Sequence, residues 1–419
     1  MPVDRTVLIT NDAIVFGLLA ATMGLVFATA RSSLPAFRTF YRFVPVLLVC
    51  YFLPALYNTF GIVDGERSQI YYVSSRYLLP ATLVLLTVPT DLPSVIRLGP
   101  KAVLLFLTGT VTVILGGPLA MMIVGAFSPE TVSGDVWRAL PAVAGSWIGG
   151  AANQAAMKDV FEIPNDLFGT MVAVDVVVAG LWMAVLLWVA GQSARLDTAS
   201  GADTSAIVEL RDRVAQFERD TARIPTLADF MVIAGLGFGL TGLAHALGNP
   251  LAAWIERTAP GLALYSLTSS FFWIVVLATT FGLLASFTRA RQLEGAGASR
   301  MGQALLYVLI ASVGMQMNLG AVLTNPGLFL LGGIWLSFHA LVMVTVARAI
   351  RAPMFYMAVG SEANIGGAAS APVVAAAFHS ALAPVGVLLA VLGYALGTYG
   401  GWLSGQLMRM VAFKAGWAD

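Results

Sequence analysis

The sequence predicts an all-α polytopic membrane protein: two inverted repeats of five transmembrane helices, each with a re-entrant glycine-rich hairpin, about ten crossings plus two hairpins. Three observations carry this expectation. Of 419 residues, 58% are hydrophobic and 11% charged, and the apolar runs have bilayer length rather than strand-like alternation. One stretch occurs in two versions, GSWIGGAANQAA at 145–156 and EANIGGAASA at 362–371. Further echoes follow in the same order at a nearly constant offset: Asp12 with Asp229, LGG at 115–117 with LGG at 331–333, and DLPSV at 91–95 with NLGAV at 318–322.

The first repeat, residues 1–191, holds apolar runs at about 11–29, 43–60, 77–95 and 101–127, the first glycine-pair segment at 138–158, and a run at 165–190. The start imitates a cleavable signal peptide, with Arg5, an apolar run and ATA at 28–30. Asp12 inside that run and its match to Asp229 argue that it stays as the first span. Residues 192–226 form a polar linker, expected in the cytoplasm, with five arginines. There Ile207, Leu210, Val214 and Phe217 recur at helical spacing, so part of it reads as an amphipathic helix on the protein or on a second subunit of a homodimer. A solvated helix with no partner fits equally. The second repeat, residues 227–419, has runs at about 227–247, 262–286, 301–319 and 325–347, the second glycine-pair segment at 354–378, and a run at 382–412.

Two adjacent glycines make a poor lipid-facing helix, because each costs about 1 kcal/mol against alanine. Irregular backbone survives at membrane depth only where protein or a water-filled cavity satisfies its polar groups. Both segments therefore read as walls of a substrate path, and the alternative is a small-xxx-small packing seam. Re-entry of each segment leaves five crossings per half and makes the halves antiparallel. With the N-terminus outside, Arg31, Arg38, Arg42, Arg97, Lys101, the linker, Arg289, Arg291, Arg300, Arg348 and Arg351 then face the cytoplasm. Full crossing with the N-terminus inside satisfies that rule about as well, although it leaves the first loop's arginines outside. Prolines favour re-entry: Pro141 and Pro164 bracket the first segment, and Pro353, Pro372 and Pro384 punctuate the second.

At SWIGGAAN and ANIGGAAS the chain resembles the YjcL-like family of bacterial membrane proteins, a domain of unknown function. More distantly, its plan is similar to the sodium-coupled glutamate and citrate symporters. The resemblance spans nearly the whole chain and implies two inverted five-helix halves whose hairpins approach each other at the substrate and cation sites. Asn153 and Ser370 stand where the symporters carry glycine. Glu362 and Ala368 stand where the closer family carries an amide and a proline, which leaves the coupling ion and substrate open.

Half-helix N-termini favour anionic groups, and exposed carbonyls can coordinate Na⁺. Gly149, Gly150, Gly366 and Gly367 would let backbone reach a ligand, with Ser146, Asn153, Asn364 and Ser370 offering neutral hydrogen bonds. For each Asn or Ser the alternative is an interhelical hydrogen bond. No lysine or arginine lies in the middle of a span. Asp175 and Glu362 are the acids placed within apolar surroundings, and either could bind Na⁺ or carry a proton as the coupling ion. A structural acid is the other reading of Asp175, and a satisfied interhelical histidine that of His339. The three histidines show no metal-ligand spacing, and neither GxSxG nor a phosphate-binding loop is present. The lone Cys50 excludes a disulfide framework, and a net charge of +1 gives nucleic acid no basic face.

The expectation is thus no enzyme, cofactor or resident metal. It is a multi-pass secondary active transporter in the bacterial inner membrane, moving an amino acid, short peptide or organic anion with Na⁺ or H⁺ by alternating access. Alternatives are a cation/proton antiporter without organic substrate, and a scaffold or sensor acting through the linker.

Overall fold

A computed structural model describes residues 7–65, 67–90, 96, 98–202, 224–317, 325–379 and 382–418. The linker's amphipathic stretch (Ile207, Leu210, Val214, Phe217) and the DLPSV and NLGAV echoes at 91–95 and 318–322 lie outside these residues. Among the described residues the secondary structure is helical apart from one isolated bridge between Ile9 and Val63.

The helices run in order α1 Asp12–Ala30, α2 Pro35–Phe43, α3 Val46–Thr59, α4 Ile70–Val73, which continues through a π-turn into α5 Leu79–Thr87, and α6 Pro100–Phe127. Next come α7 Val136–Val160, α8 Asn165–Gly191, α9 Ser193–Ser200, α10 Leu227–Thr258, α11 Ser270–Ser286 and α12 Ala298–Gly314. The last four are α13 Gly327–Ala349, α14 Met354–Ile365, α15 Gly367–Phe378 and α16 Ala383–Ala415. The start signals are local. Asn11 caps α1 by accepting from the backbone N–H of Ala13 at 2.9 Å, and Thr226 and Asp229 form a reciprocal capping box on α10. Asp12 and Asp229 thus both sit in a first helical turn, where negative charge suits the dipole.

All ten apolar runs are helical, but they are not ten full-length crossings. Among the described residues, six helices are long and apolar enough to span a bilayer: α1, α6, α8, α10, α13 and α16. The number rises to eight if α2–α3 and α11 with its following 3₁₀ turn each count as one bent span. The shortfall has a plain cause. Helices α3, α5, α11 and α12 have 14, 9, 17 and 17 residues, about 14 to 26 Å of rise against a hydrocarbon core of about 30 Å.

Burial sorts the spans into an inner and an outer set. Of the most apolar window of α16, 72% is buried, against 28% for α1 and 22% for α10, so these last two present most of their surface outward. Helix α7 lies along α16 at glycine-to-glycine distance: a Cβ on Gly397 would stand 2.6 Å from Gly149 Cα, and one on Gly401 would stand 3.1 Å from Gly145 Cα. Gly393, Gly397, Gly401 and Gly405 form this seam at four-residue steps, the small-xxx-small pattern that lets two backbones approach. The packing-seam reading of the first glycine pair therefore describes one of its faces.

Both glycine-pair segments break at their glycines. Helical geometry is lost at Gly149 (φ −135°, ψ 18°) and Gly150 (φ 70°, ψ −175°), and again between α14 and α15, where Gly367 has φ 62°. Positive φ is cheap only for glycine. The prolines stand partly at the segment edges, as expected, and partly within helices. Pro141 and Pro372 lie inside α7 and α15, and Pro164 and Pro353 stand at the N-caps of α8 and α14.

In both segments the two ends come together. Arg138 Nη1 stands 3.9 Å from Glu162 Oε2, the Trp137 and Phe161 rings are 6.4 Å apart edge to face, and Gly145 packs on Met157. Across the second break, Phe355 and Phe378 meet edge to face at 5.5 Å.

Candidate functional site: two glycine breaks in contact

The two breaks, distant in sequence, face each other across about the width of one methyl group. A Cβ built on Gly367 would lie 3.9 Å from Gly150 Cα, and one on Gly150 would lie 3.1 Å from the Tyr394 ring. Tyr394 belongs to both breaks: its carbonyl accepts from Asn153 Nδ2 at 3.3 Å, its ring covers Gly150, and its hydroxyl faces the backbone of Ala368.

At the first break, Asn153 is fully engaged. It donates to the Gly149 carbonyl at 2.8 Å and accepts from Thr398 Oγ1 at 2.6 Å. The Gly149 carbonyl is the kind of group that a broken helix leaves without its intrahelical partner, and buried polar groups of that kind need one. Asp175, from α8, reaches both sides of the break. Its Oδ2 accepts from Ser146 Oγ at 2.6 Å and Gln154 Nε2 at 2.9 Å, and its Oδ1 accepts from Trp147 Nε1 at 2.7 Å. Ser146 and Trp147 precede the glycines and Gln154 follows them, so one carboxyl group ties the two arms together.

At the second break, Asn364 is equally occupied. It donates to Phe106 O at 3.0 Å and Gly360 O at 2.9 Å and accepts from Thr110 Oγ1 at 2.8 Å, which fastens α14 to α6. Glu362 differs from Asp175. Its Oε2 is buried without a hydrogen-bond partner among the described residues, and so is the neighbouring Ser370 Oγ. A side chain at Gly366 would overlap both Ser370 Oγ and Glu362 Oε1, so the missing Cβ keeps the two oxygens side by side. Asp175 is a carboxylate in use; Glu362 has acceptor capacity to spare.

His339 is buried and satisfied. Thr112 Oγ1 donates to Gly109 O at 2.8 Å, so it accepts from His339 Nδ1 at 2.7 Å; Nε2 then accepts from Ser361 Oγ at 2.7 Å, which in turn accepts from Trp182 Nε1 at 2.8 Å. That assignment makes the imidazole neutral, and the chain of bonds ends one residue before Glu362.

Sequence reasoning missed two residues. Tyr394 lies in a run where only the glycine spacing is conspicuous. Lys158, at the end of α7, is 5% exposed; it donates to Gln316 Oε1 at 3.0 Å and lies 4.1 Å above the Tyr71 ring, while Tyr71 donates to Asp159 Oδ1 at 2.5 Å. A lysine five residues beyond GGAAN carries no local mark of burial. Of the predicted residues, Gly150 and Gly367 lie opposite each other, close enough that a Cβ on Gly367 would reach van der Waals contact with Gly150 Cα. Ser146, Asn153 and Asp175 gather at the first break, and Asn364, Glu362 and Ser370 at the second. Neither of the two cavities described, one between α1 and α12 and one among α8, α9, α13 and α14, is lined by these glycines.

The chain is 21% identical over 370 residues to the uncharacterized membrane protein YjcL of Bacillus subtilis (strain 168), an alignment covering 84% of this chain and 86% of that protein. A model of the protein family of unknown function DUF819 matches residues 17–411. With that match running through all but its two ends, this multi-pass membrane chain belongs to the DUF819 family.

Proposed function

We propose that the protein is a secondary active transporter that moves a small polar organic solute, an amino acid, short peptide or organic anion, by alternating access with Na⁺ or H⁺. One observation carries the reading: two glycine-broken segments, one from each half of the chain, meet at Gly150 and Gly367 with a partner-poor carboxyl group beside the second. In this reading residues 1–191 and 227–419 are inverted repeats joined by a cytoplasmic linker, and α7 and α14–α15 are re-entrant hairpins in the bacterial inner membrane. The closed tips are one state of the cycle. Their separation would free the backbone at Gly149–Gly150 and Gly366–Gly367, with Ser146, Asn153, Asn364 and Ser370 around it, to take the cargo. Glu362 takes the coupling ion, and Asp175 serves as the brace that keeps the first hairpin's arms together. The chemistry is binding and release, so no enzymatic step or cofactor is assigned.

Uptake by proteoliposomes tests this, after a thermal-shift screen of amino acids, peptides and carboxylates with Na⁺, K⁺ and varied pH, since anything that binds the folded form raises its apparent stability. Gly150→Val and Gly367→Val force a β-branched residue to positive φ, and each is expected to abolish uptake while leaving the protein inserted. Wild-type uptake in both variants would remove the site. Exchange of Na⁺ for H⁺ without organic solute would favour the antiporter reading, which the free Oε2 of Glu362 also suits. Deleting residues 203–223 should leave uptake intact; loss of the phenotype with transport retained would point to a scaffold.

The topology has its own test. Ser133 and Glu162 are exposed and flank α7, and cysteines at these positions in a Cys50→Ser background are expected to react with an impermeant reagent from the same side. Labelling from opposite sides would mean that α7 crosses.

A further inference from the structure

A groove of about 410 Å³ runs between α1 and α12, with Phe16, Met23 and Phe27 on one wall, Tyr307 on the other, and Arg300 and Gln303 as its polar lining. The two helices are antiparallel. Asp12, at the start of α1, accepts from Ser68 Oγ at 2.7 Å and Gln69 N at 3.2 Å, and the adjoining Gly65 packs on the backbone of Met315 and Gln316, just past the end of α12. Arg300 therefore lies towards the C-terminal end of α1, where Phe27 meets Tyr307 edge to face at 4.7 Å.

That end also carries the marks of a membrane–water boundary. Helix α2 bends 96° from α3, exposes Leu34 and Phe40, and is pinned to α1 by the Tyr41 hydroxyl, 2.8 Å from Thr29 Oγ1. A short amphipathic helix set across the end of a span is an interfacial element. Arg31, one turn beyond Phe27, and Arg38 of α2 lie at this level with Arg300, and among the described residues none of the three enters an ion pair. The nearby Glu294 is taken up by Ser299, whose N–H and hydroxyl donate to it at 3.0 and 2.6 Å.

From Phe16 to Phe27 is about 16 Å of helix, which matches the roughly 15 Å depth of one leaflet's hydrocarbon. We propose that this groove is a binding site for one anionic phospholipid, its acyl chain lying along α1 between Phe27 and Phe16 and its phosphate held by Arg300 with Arg31 close by. An apolar slot of leaflet depth that ends in unpaired arginines at the boundary matches an acyl chain below a negative headgroup. In the orientation that keeps the first loop's arginines inside, this headgroup lies in the cytoplasmic leaflet, where a basic side chain adds about fivefold to attraction for anionic lipid. The proposal does not depend on the transport reading.

Native mass spectrometry of the full-length protein, exchanged against mixed micelles of phosphatidylglycerol and phosphatidylcholine, tests it. One phosphatidylglycerol per chain is expected, retained at least about fivefold over phosphatidylcholine. Arg300→Gln should remove that preference while leaving a bound chain. Gly24, on the groove wall, has open space where a Cβ would stand, so Gly24→Phe should fold and lose both lipids. Equal retention of the two lipids by the wild-type protein, or an unchanged preference in Arg300→Gln, would overturn the proposal. So would a disulfide between two chains carrying Ala20→Cys in the Cys50→Ser background, because a second copy would then occupy the groove.

Discussion

Asp175→Ala is expected to lower the stability of the folded protein by several kcal/mol, on the order of 3 to 5, because three buried donors lose their acceptor at once and each stranded group costs about 1 to 3 kcal/mol. Those donors are Ser146, Trp147 and Gln154, on opposite sides of Gly149–Gly150, so the loss also releases the arms of α7 from each other. Asp175→Asn should cost far less. Its carbonyl oxygen can keep Trp147, and the Ser146 hydroxyl can turn to accept from the new amide, so that only the Gln154 amide loses its acceptor. Reversible unfolding in mixed micelles, followed by near-ultraviolet circular dichroism, separates the two variants. An alanine variant within about 1 kcal/mol of wild type would show that Asp175 is not the brace. Uptake by Asp175→Asn then divides the roles of the acids: a brace allows it, whereas the coupling role that the sequence equally allowed forbids it.

Glu362→Gln is expected to behave in the opposite way, with coupled uptake falling at least about a hundredfold and stability unchanged or raised. Neutralising a buried carboxyl group whose Oε2 has no partner among the described residues removes a desolvation cost and strands no donor at that oxygen. The glutamine keeps the shape and can still meet Ser370, but it can neither hold a cation by charge nor carry a proton. Initial uptake rates in proteoliposomes, beside the unfolding curve of the same preparation, provide the readout. Full uptake by Glu362→Gln would take the coupling role from this residue.

The contrast between these acids also shows where sequence reasoning reaches its limit. Asp175 and Glu362 look alike along the chain, each an acid among apolar neighbours, and nothing local says that one is held by three donors and the other is not. Asn153 and Asn364, read from the sequence as ligand groups, also brace the closed structure: Asn153 holds α16 and the Gly149 carbonyl, and Asn364 holds α6 and its own helix. The partners are hundreds of residues away, as with Thr398 and Asn153, separated by 245 positions. Lys158 escaped notice for the same reason, since its burial depends on α4 and on the residues following α12 rather than on its own segment. The prolines were read as bracketing or punctuating the two segments: Pro164 and Pro353 do stand at segment edges, whereas Pro141 and Pro372 lie within helices, and the chain breaks at the glycines, where positive φ is needed.

What the amino-acid order settled by itself was what depends on a residue and its near neighbours: the membrane class, the ten helical runs, and the two glycine pairs as the places where a helix gives way. Hydropathy and backbone freedom are properties of a short window, so a short window suffices to read them. Only the packed chain decided that the two breaks face each other, that one acid is clamped while the other is spare, and that α16 rather than α1 or α10 lies inside. A buried polar group takes whatever partner the neighbouring helix presents, and which helix is the neighbour is a property of the whole fold.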